Sequence, residues 1–343
     1  MLRTGLLLAA LALLAFAPEA RAEVRDFTIA SKAFDGAKIA TSGHRRVRVY
    51  LPDGYETSGR RYPVVYFLHN AFDDEKAAFD RDGFGQLLDR ATTPMIVVAA
   101  DFSTPLGSSV YTSSPVTGRW DDFLAVELVA WTDRTFRTLA RRDSRGLAGD
   151  RMGGYGAMTM GMRHADVFGA VYALHPVGAG VGMQPMWSRP NFELLQNAKS
   201  LDDLKADGFS QLFTAIYQAH LPNPDKPPLY VDLPARKVGD KVVVDAKQTA
   251  RLIDSFALDH QVLRHADALK TLRGLKFDWG RNDPIADHII SAQALSRLLV
   301  ELGVPHEAEE YVGGWGDRTW GETGRVSTAM LPFFARTLVF EGR

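Results

Sequence analysis

The chain contains no cysteine. That absence excludes disulfides, a thiolate nucleophile, thiolate metal ligands and a lipid-modified cysteine behind an export signal. An excess of one charge is also missing. Forty Lys and Arg stand against 41 Asp and Glu, a formal net charge of −1, so nothing electrostatic points to nucleic acid or an anionic membrane as a partner. No apolar run reaches the roughly 20 residues of a membrane-spanning helix. No internal repeat is present, and Gly149 to Gly154 lacks both the lysine and the spacing of a phosphate or dinucleotide loop. The acidic run Asp73-Asp74-Glu75 reads as a solvated loop. No metal and no other cofactor is expected.

What is present is ordinary globular composition, 46% hydrophobic and 24% charged over 343 residues, enough to bury a core without covalent staples. Arg3, the short apolar run Leu6 to Phe16 and Ala20-Arg21-Ala22 have the order of an export signal with a small-x-small cleavage site. We therefore expect residues 1–22 to be a signal, with no stable membrane anchor, and the mature protein to be periplasmic or secreted. An oxidising compartment permits disulfides without requiring them.

Within residues 23–343, apolar β-branched runs alternate with helical spacing, the pattern of a mostly parallel sheet with helices on both faces. Val47 to Leu51 reads as an early antiparallel strand, and Pro63 to His69 and Met95 to Asp101 as buried strands. Later strands are expected at 144–149, 167–174, 275–279 and 307–312. Helices are expected at 121–139, from 153 to about 164, and from about 285 to Gly303. Residues 178–272 change to helical segments and proline-rich loops, read as a cap-like insertion over the sheet.

The informative stretch runs Leu147-Ala148-Gly149-Asp150-Arg151-Met152-Gly153-Gly154-Tyr155-Gly156-Ala157. A strand entering a helix through Gly-x-nucleophile-x-Gly is a nucleophile elbow, in which strand and helix approach so closely that the flanking residues must be small. Gly149 and Gly153 meet that need. The central residue is Arg151.

Together with Ser114 to Gly118, Trp120-Asp121-Asp122-Phe123 and Thr135 to Leu139, this stretch resembles the esterase branch of the α/β-hydrolases. That branch includes S-formylglutathione hydrolases, feruloyl esterases and mycolyltransferases. The resemblance covers most of residues 23–343 and implies the α/β-hydrolase fold and a Ser-His-Asp triad. Arg151 stands at the serine position, and a guanidinium has no lone pair to attack with and stays protonated. Asp150 is a carboxylate, and aspartate is the nucleophile in some relatives of the fold. A frame shifted by one residue, however, would put Met152 where a small side chain is needed. Asp283, in Trp279-Gly280-Arg281-Asn282-Asp283-Pro284, matches the triad aspartate, although a helix-capping aspartate would look the same locally. Trp315, after Gly313-Gly314, stands at the histidine position, and an indole is a donor without usable basicity. The family's His-Gly at the oxyanion loop is here His69-Asn70, with the backbone N–H groups of Ala71 and Met152 as the expected donors.

His175, His288 and His306 are alternative imidazoles, each read first as a structural residue. Arg151 is long enough to reach Asp283 across the space left by serine and histidine, so a bidentate Arg151–Asp283 pair beneath a Trp315 cation–π lid is expected. A solvent-facing Arg151 is the alternative. Trp120, Tyr155, Trp187 and Trp315 are candidate pocket aromatics, although core packing explains each of them as well. Three functions stay open. The first is a non-hydrolytic protein binding a small carboxylate or aromatic ligand. The second is a lyase or isomerase using Arg151 with Asp150 or Asp283, and the third an esterase with an unrecognised nucleophile.

Overall fold

The computed structural model describes residues 22–180 and 189–342. Residues 1–21 of the expected signal, and Trp187, lie outside them. Ten strands are described: β1 (Glu23–Ala30), β2 (His44–Leu51), β3 (Val64–Leu68), β4 (Ile96–Ala100), β5 (Arg145–Asp150), β6 (Ala170–Leu174), β7 (Ala235–Val238), β8 (Lys241–Val244), β9 (Gly274–Gly280) and β10 (Glu307–Tyr311). Eight form one sheet in the order β1-β2-β4-β3-β5-β6-β9-β10. β1 and β2 are antiparallel to each other, β2 is antiparallel to β4, and the remaining pairs are parallel. This is the α/β-hydrolase architecture.

The continuous apolar runs become central strands because both of their faces are covered. Along β3, Val64, Tyr66 and Leu68 enter one core cluster while Val65 and Phe67 enter the other, the period-two alternation of a strand buried on both sides. The helix Met152–Arg163 is buried from Met152 to Met162. It packs between the sheet and the helix Leu258–Lys270, which accounts for its apolar residues on every side.

The helix expected over 121–139 spans 120–135, with a π-helical stretch at Phe123–Leu128. It stops because Phe136 turns extended and Thr138 bridges to Tyr62. Between β6 and β9 lie the helices Phe192–Asn197, Gly208–His220, Ala246–Phe256 and Leu258–Lys270. The hairpin β7–β8, which periodicity did not predict, also lies there. β1 was not anticipated either, because its alternation is mixed with charge. Gly303 ends the helix Ala286–Glu301 at φ 68°, the left-handed conformation that glycine adopts without a Cβ penalty. Among the described residues no helix is long and apolar enough to cross a membrane.

Candidate functional site

β5 runs into the helix Met152–Arg163 through one residue, Arg151, at φ 53° and ψ −103°. A non-glycine residue there costs on the order of 1–3 kcal/mol and persists when its surroundings over-determine it. The surroundings here are tight backbone. A Cβ on Gly153 would lie 1.9 Å from the Leu68 carbonyl oxygen, and one on Gly149 would lie 2.2 Å from that of Gly153. The Arg151 N–H donates to Leu174 O at 3.0 Å. The sharp turn of the elbow is therefore built, and it presents a guanidinium.

That guanidinium does not meet Asp283. Nη1 donates to Asp150 Oδ2 at 2.8 Å, and Nη2 makes a long contact of 3.5 Å with the Trp315 carbonyl oxygen. Its carbon lies 5.0 Å from the centroid of the Trp315 ring, so the cation–π contact is present while the partner carboxylate is the adjacent residue. Gly316 makes the room: a Cβ there would fall 1.8 Å from Arg151 Nη2. The expected Arg151–Asp283 pair is thereby corrected. Both oxygens of Asp283 are taken nearby in sequence, Oδ2 by His288 Nδ1 on the following helix at 2.9 Å and Oδ1 by the Ile285 N–H at 2.8 Å.

Behind the turn lies a buried chain of charge. His175, at φ 33° and 3% exposed, has Nε2 2.9 Å from Asp150 Oδ1 and 2.9 Å from Thr319 Oγ1. Its Nδ1 faces the Tyr311 hydroxyl at 3.0 Å and Asp278 Oδ1 at 3.5 Å. Arg325 closes the chain on Asp278 at 2.8 Å and on Glu309 at 2.6 Å. Burial pushes the imidazole down, but Asp150 and Asp278 outweigh it and raise His175 to about 9. Burial likewise opposes ionisation of Asp278, yet His175 and Arg325 hold it below the ordinary carboxylate value. Sequence reading singled out His175 but missed the chain, because Asp278 and Arg325 carry no local signature.

Residues 39–216 match the family model described as "Putative esterase". The chain belongs to this esterase family. Among curated relatives, Esterase Rv1288 of Mycobacterium tuberculosis is 34% identical over 278 residues, 78% of this chain and 52% of the relative. The chain thus spans about half the length of the curated relatives it matches. A ferulic acid esterase superposes at TM-score 0.64 and 20% identity, covering 94% of this chain and 100% of that one. S-formylglutathione hydrolase from Agrobacterium tumefaciens superposes at 0.58 and 14% identity, over 93% and 97%. A feruloyl esterase module from Clostridium thermocellum, complexed with sinapinate, superposes at 0.51 and 15% identity, over 95% and 92%. At these identities the likeness of the structures is one of fold.

In this esterase-family protein several candidate residues sit away from the turn's open side. Tyr155 is fully buried, stacked on Phe256 at 4.8 Å and accepting from Gln261 Nε2 at 3.0 Å. Trp120 is equally buried, with its indole N–H on Thr117 Oγ1 at 3.1 Å. Both are core residues and not pocket walls, because neighbouring side chains cover them completely. His69 accepts from the Phe102 N–H at 2.9 Å and has Nδ1 against Asn70 O at 2.8 Å. His306 is held by Ser296 and Val304 O. Both are structural. At the oxyanion loop, Ala71 is buried in the turn after β3. The Met152 N–H does not point free into a pocket but donates to Asn70 Oδ1 at 3.3 Å. Asn70, standing where the resemblance implies a glycine, thus occupies one of the two expected donors.

Beside the turn is a cavity of about 160 Å³. Met152, Val177, Phe213, Ile216, Phe256 and Trp315 form much of its apolar wall, and Arg189, Asp287 and His288 are its charged or titratable lining. Arg151 is not among the lining residues. Trp315 and Met152 are the candidate residues that do line it. Among the described residues no cluster of three or more His, Asp and Glu side chains could hold a metal ion.

Proposed function

We propose that this member of the esterase family does not turn over esters through an acyl-enzyme, and instead binds a small ligand with an apolar or aromatic body and a carboxylate. The observation that carries the reading is the residue at the sharp turn, Arg151, whose guanidinium is held by Asp150 and Trp315. Acyl transfer needs a nucleophile, a base to activate it and donors for the developing oxyanion. Arg151 and Trp315 stand where the resemblance implies the first two, and Asn70 engages one of the donors. The apolar cavity next to the turn supports the ligand class, and sinapinate in a neighbour of the same fold suggests a ring-and-carboxylate probe. We further propose that the protein acts outside the cytoplasm, on the strength of residues 1–22. Mass spectrometry of the secreted or periplasmic product tests this, and an uncleaved cytoplasmic chain refutes it.

The functional test uses the purified protein with a fluorophosphonate probe, p-nitrophenyl acetate and sinapinate. The expected result is no covalent label, no ester turnover above the buffer rate, and a rise in Tm with sinapinate. A label on any residue together with turnover would overturn the reading and reveal a nucleophile elsewhere.

A further inference from the structure

The hairpin β7–β8 forms a two-stranded sheet of its own, apart from the central one. Three of the four residues of β8 are valine, and Val242, Val243 and Val244 are 46%, 41% and 48% exposed. Burial within the chain does not account for them, and an open strand edge is ordinarily guarded by charge, proline or a bulge. The two edges of the hairpin differ. On β7 the side chain of Gln196, from the helix Phe192–Asn197, closes the outer edge: Oε1 accepts from the Lys237 N–H, and Nε2 donates to the Lys237 carbonyl oxygen at 3.3 Å. Among the described residues no strand pairs with the outer edge of β8.

The hydrogen bonds fix which backbone groups that edge offers. The Asp245 N–H donates inward to Pro234 O at 2.8 Å. Lys237, whose own groups face Gln196 and so point away from β8, stands opposite Val242. Facing residues of an antiparallel pair bond alternately to each other and outward. Val242 and Val244 therefore present their N–H and C=O groups at the open edge, while Val243 bonds inward to Arg236.

A strand filling this edge must bond to positions 242 and 244. A second β8, antiparallel about a two-fold axis at Val243, does so with Val242 of each copy opposite Val244 of the other. Val243 then faces Val243, and Lys241 faces Asp245. Centring the axis on Val244 instead would set Val242 against Ala246, which already belongs to a helix. Centring it on Val242 would set Val244 against Asp240 and forgo the charge match. In the Val243 register Lys241 and Asp245 are both exposed. The side-chain contacts of Asp245, with the N–H groups of Lys247 and Gln248 at 3.0 Å, both use Oδ1, so Oδ2 is in neither. The same register sets Asp240 opposite Ala246, the first residue of the helix Ala246–Phe256, where a helix N-terminus favours negative charge.

We propose that β8 is a dimerisation edge, and that its occupant is a second copy of this chain, paired antiparallel through residues 241–245 about a two-fold axis at Val243. The contact is isologous, so each copy gives and receives the same groups. So short a strip falls below the roughly 1,200 Å² of a stable interface, and the dimer exchanges with monomer.

The absence of cysteine from the chain makes the test clean. Facing residues of a pair that bonds outward on both sides have Cα atoms about 4.5 Å apart, within the roughly 4.4–6.8 Å that a disulfide spans. At about 100 μM and under mild oxidation, V243C should form a reducible covalent dimer at least about tenfold faster than V242C or V244C, each of which faces a valine in this register. The sedimentation coefficient of the wild type should rise between about 10 μM and about 1 mM. K241E, which sets Glu against Asp245, should weaken that association about tenfold. Equal linking at the three positions, or fastest linking at Val242 or Val244, overturns the register; so does association that K241E leaves unchanged. A wild type monomeric up to about 1 mM, with V243C unlinked, overturns the proposal and leaves the edge to an extended segment of another protein. Should a cysteine variant fail to fold, the wild-type concentration series and K241E still decide.

Discussion

Asp150 sits between two cations, Arg151 Nη1 at 2.8 Å and His175 Nε2 at 2.9 Å, and its side chain is 5% exposed. His175 has its titration raised from the ordinary 6.5 to about 9 against the opposing effect of burial. A histidine raised in the folded state adds stability that is complete below about pH 6.5 and is lost as pH climbs through about 9. At about 1.4 kcal/mol per pH unit, the whole contribution is about 3 kcal/mol. It is not discounted for solvent, because the imidazole is buried. Asp150→Asn removes the largest contact that raises His175, so two changes should follow. Stability near pH 6 should drop by roughly 3–5 kcal/mol, as for any buried pair broken on one side, and the decline towards pH 9 should become shallower. Urea unfolding at about one-unit intervals from pH 6 to pH 10 measures both. H175N serves as the non-titrating control, because Asn tolerates the left-handed backbone found there. If wild type and H175N lose stability with the same slope between about pH 6.5 and pH 9.5, the imidazole is not the titrating group and the argument fails.

Other outcomes follow from the same geometry. Arg151→Ser alone should remain unlabelled by a fluorophosphonate, since Trp315 offers no base and Asn70 engages the Met152 N–H; a labelled band would show that a base is within reach. Gly153→Ala should yield little soluble protein, because its methyl would fall 1.9 Å from the Leu68 carbonyl oxygen and 2.8 Å from that of His69, backbone that cannot swing aside; normal expression and Tm would contradict this. Gly316→Ala should displace the Arg151 guanidinium and strain a φ of 79°, costing on the order of 1–3 kcal/mol in denaturant unfolding. Tyr155→Phe should cost about 1 kcal/mol through the lost Gln261 contact and leave the Tm rise with sinapinate unchanged, as a core residue would; an altered rise would return Tyr155 to the pocket.

Much of the fold was legible because it rests on short-range patterns. β3, β4 and β6 are uninterrupted apolar runs, and each is wholly buried. The glycines around Arg151 betray the strand-to-helix turn, since little else lets the backbones meet there. Legibility fell where a residue's environment depends on distant chain. Tyr155 and Trp120 were candidate pocket aromatics, and nothing local says that the helix Ala246–Phe256 would cover one and Phe34 pack on the other. His288 looked like an ordinary helix histidine until the loop folded Asp283 onto its Nδ1.

The sequence by itself determined which chemical groups this protein can bring to the turn: a permanent cation at Arg151, an indole at Trp315, and no thiol anywhere. The tertiary structure decided whom they meet. Arg151 had two carboxylates to choose between, and the side chain at Asp150 won because it lies next door and because His288 and the Ile285 N–H had already taken Asp283. Ion pairing follows distance and competition for lone pairs, and those quantities exist only after segments more than a hundred residues apart have been brought together.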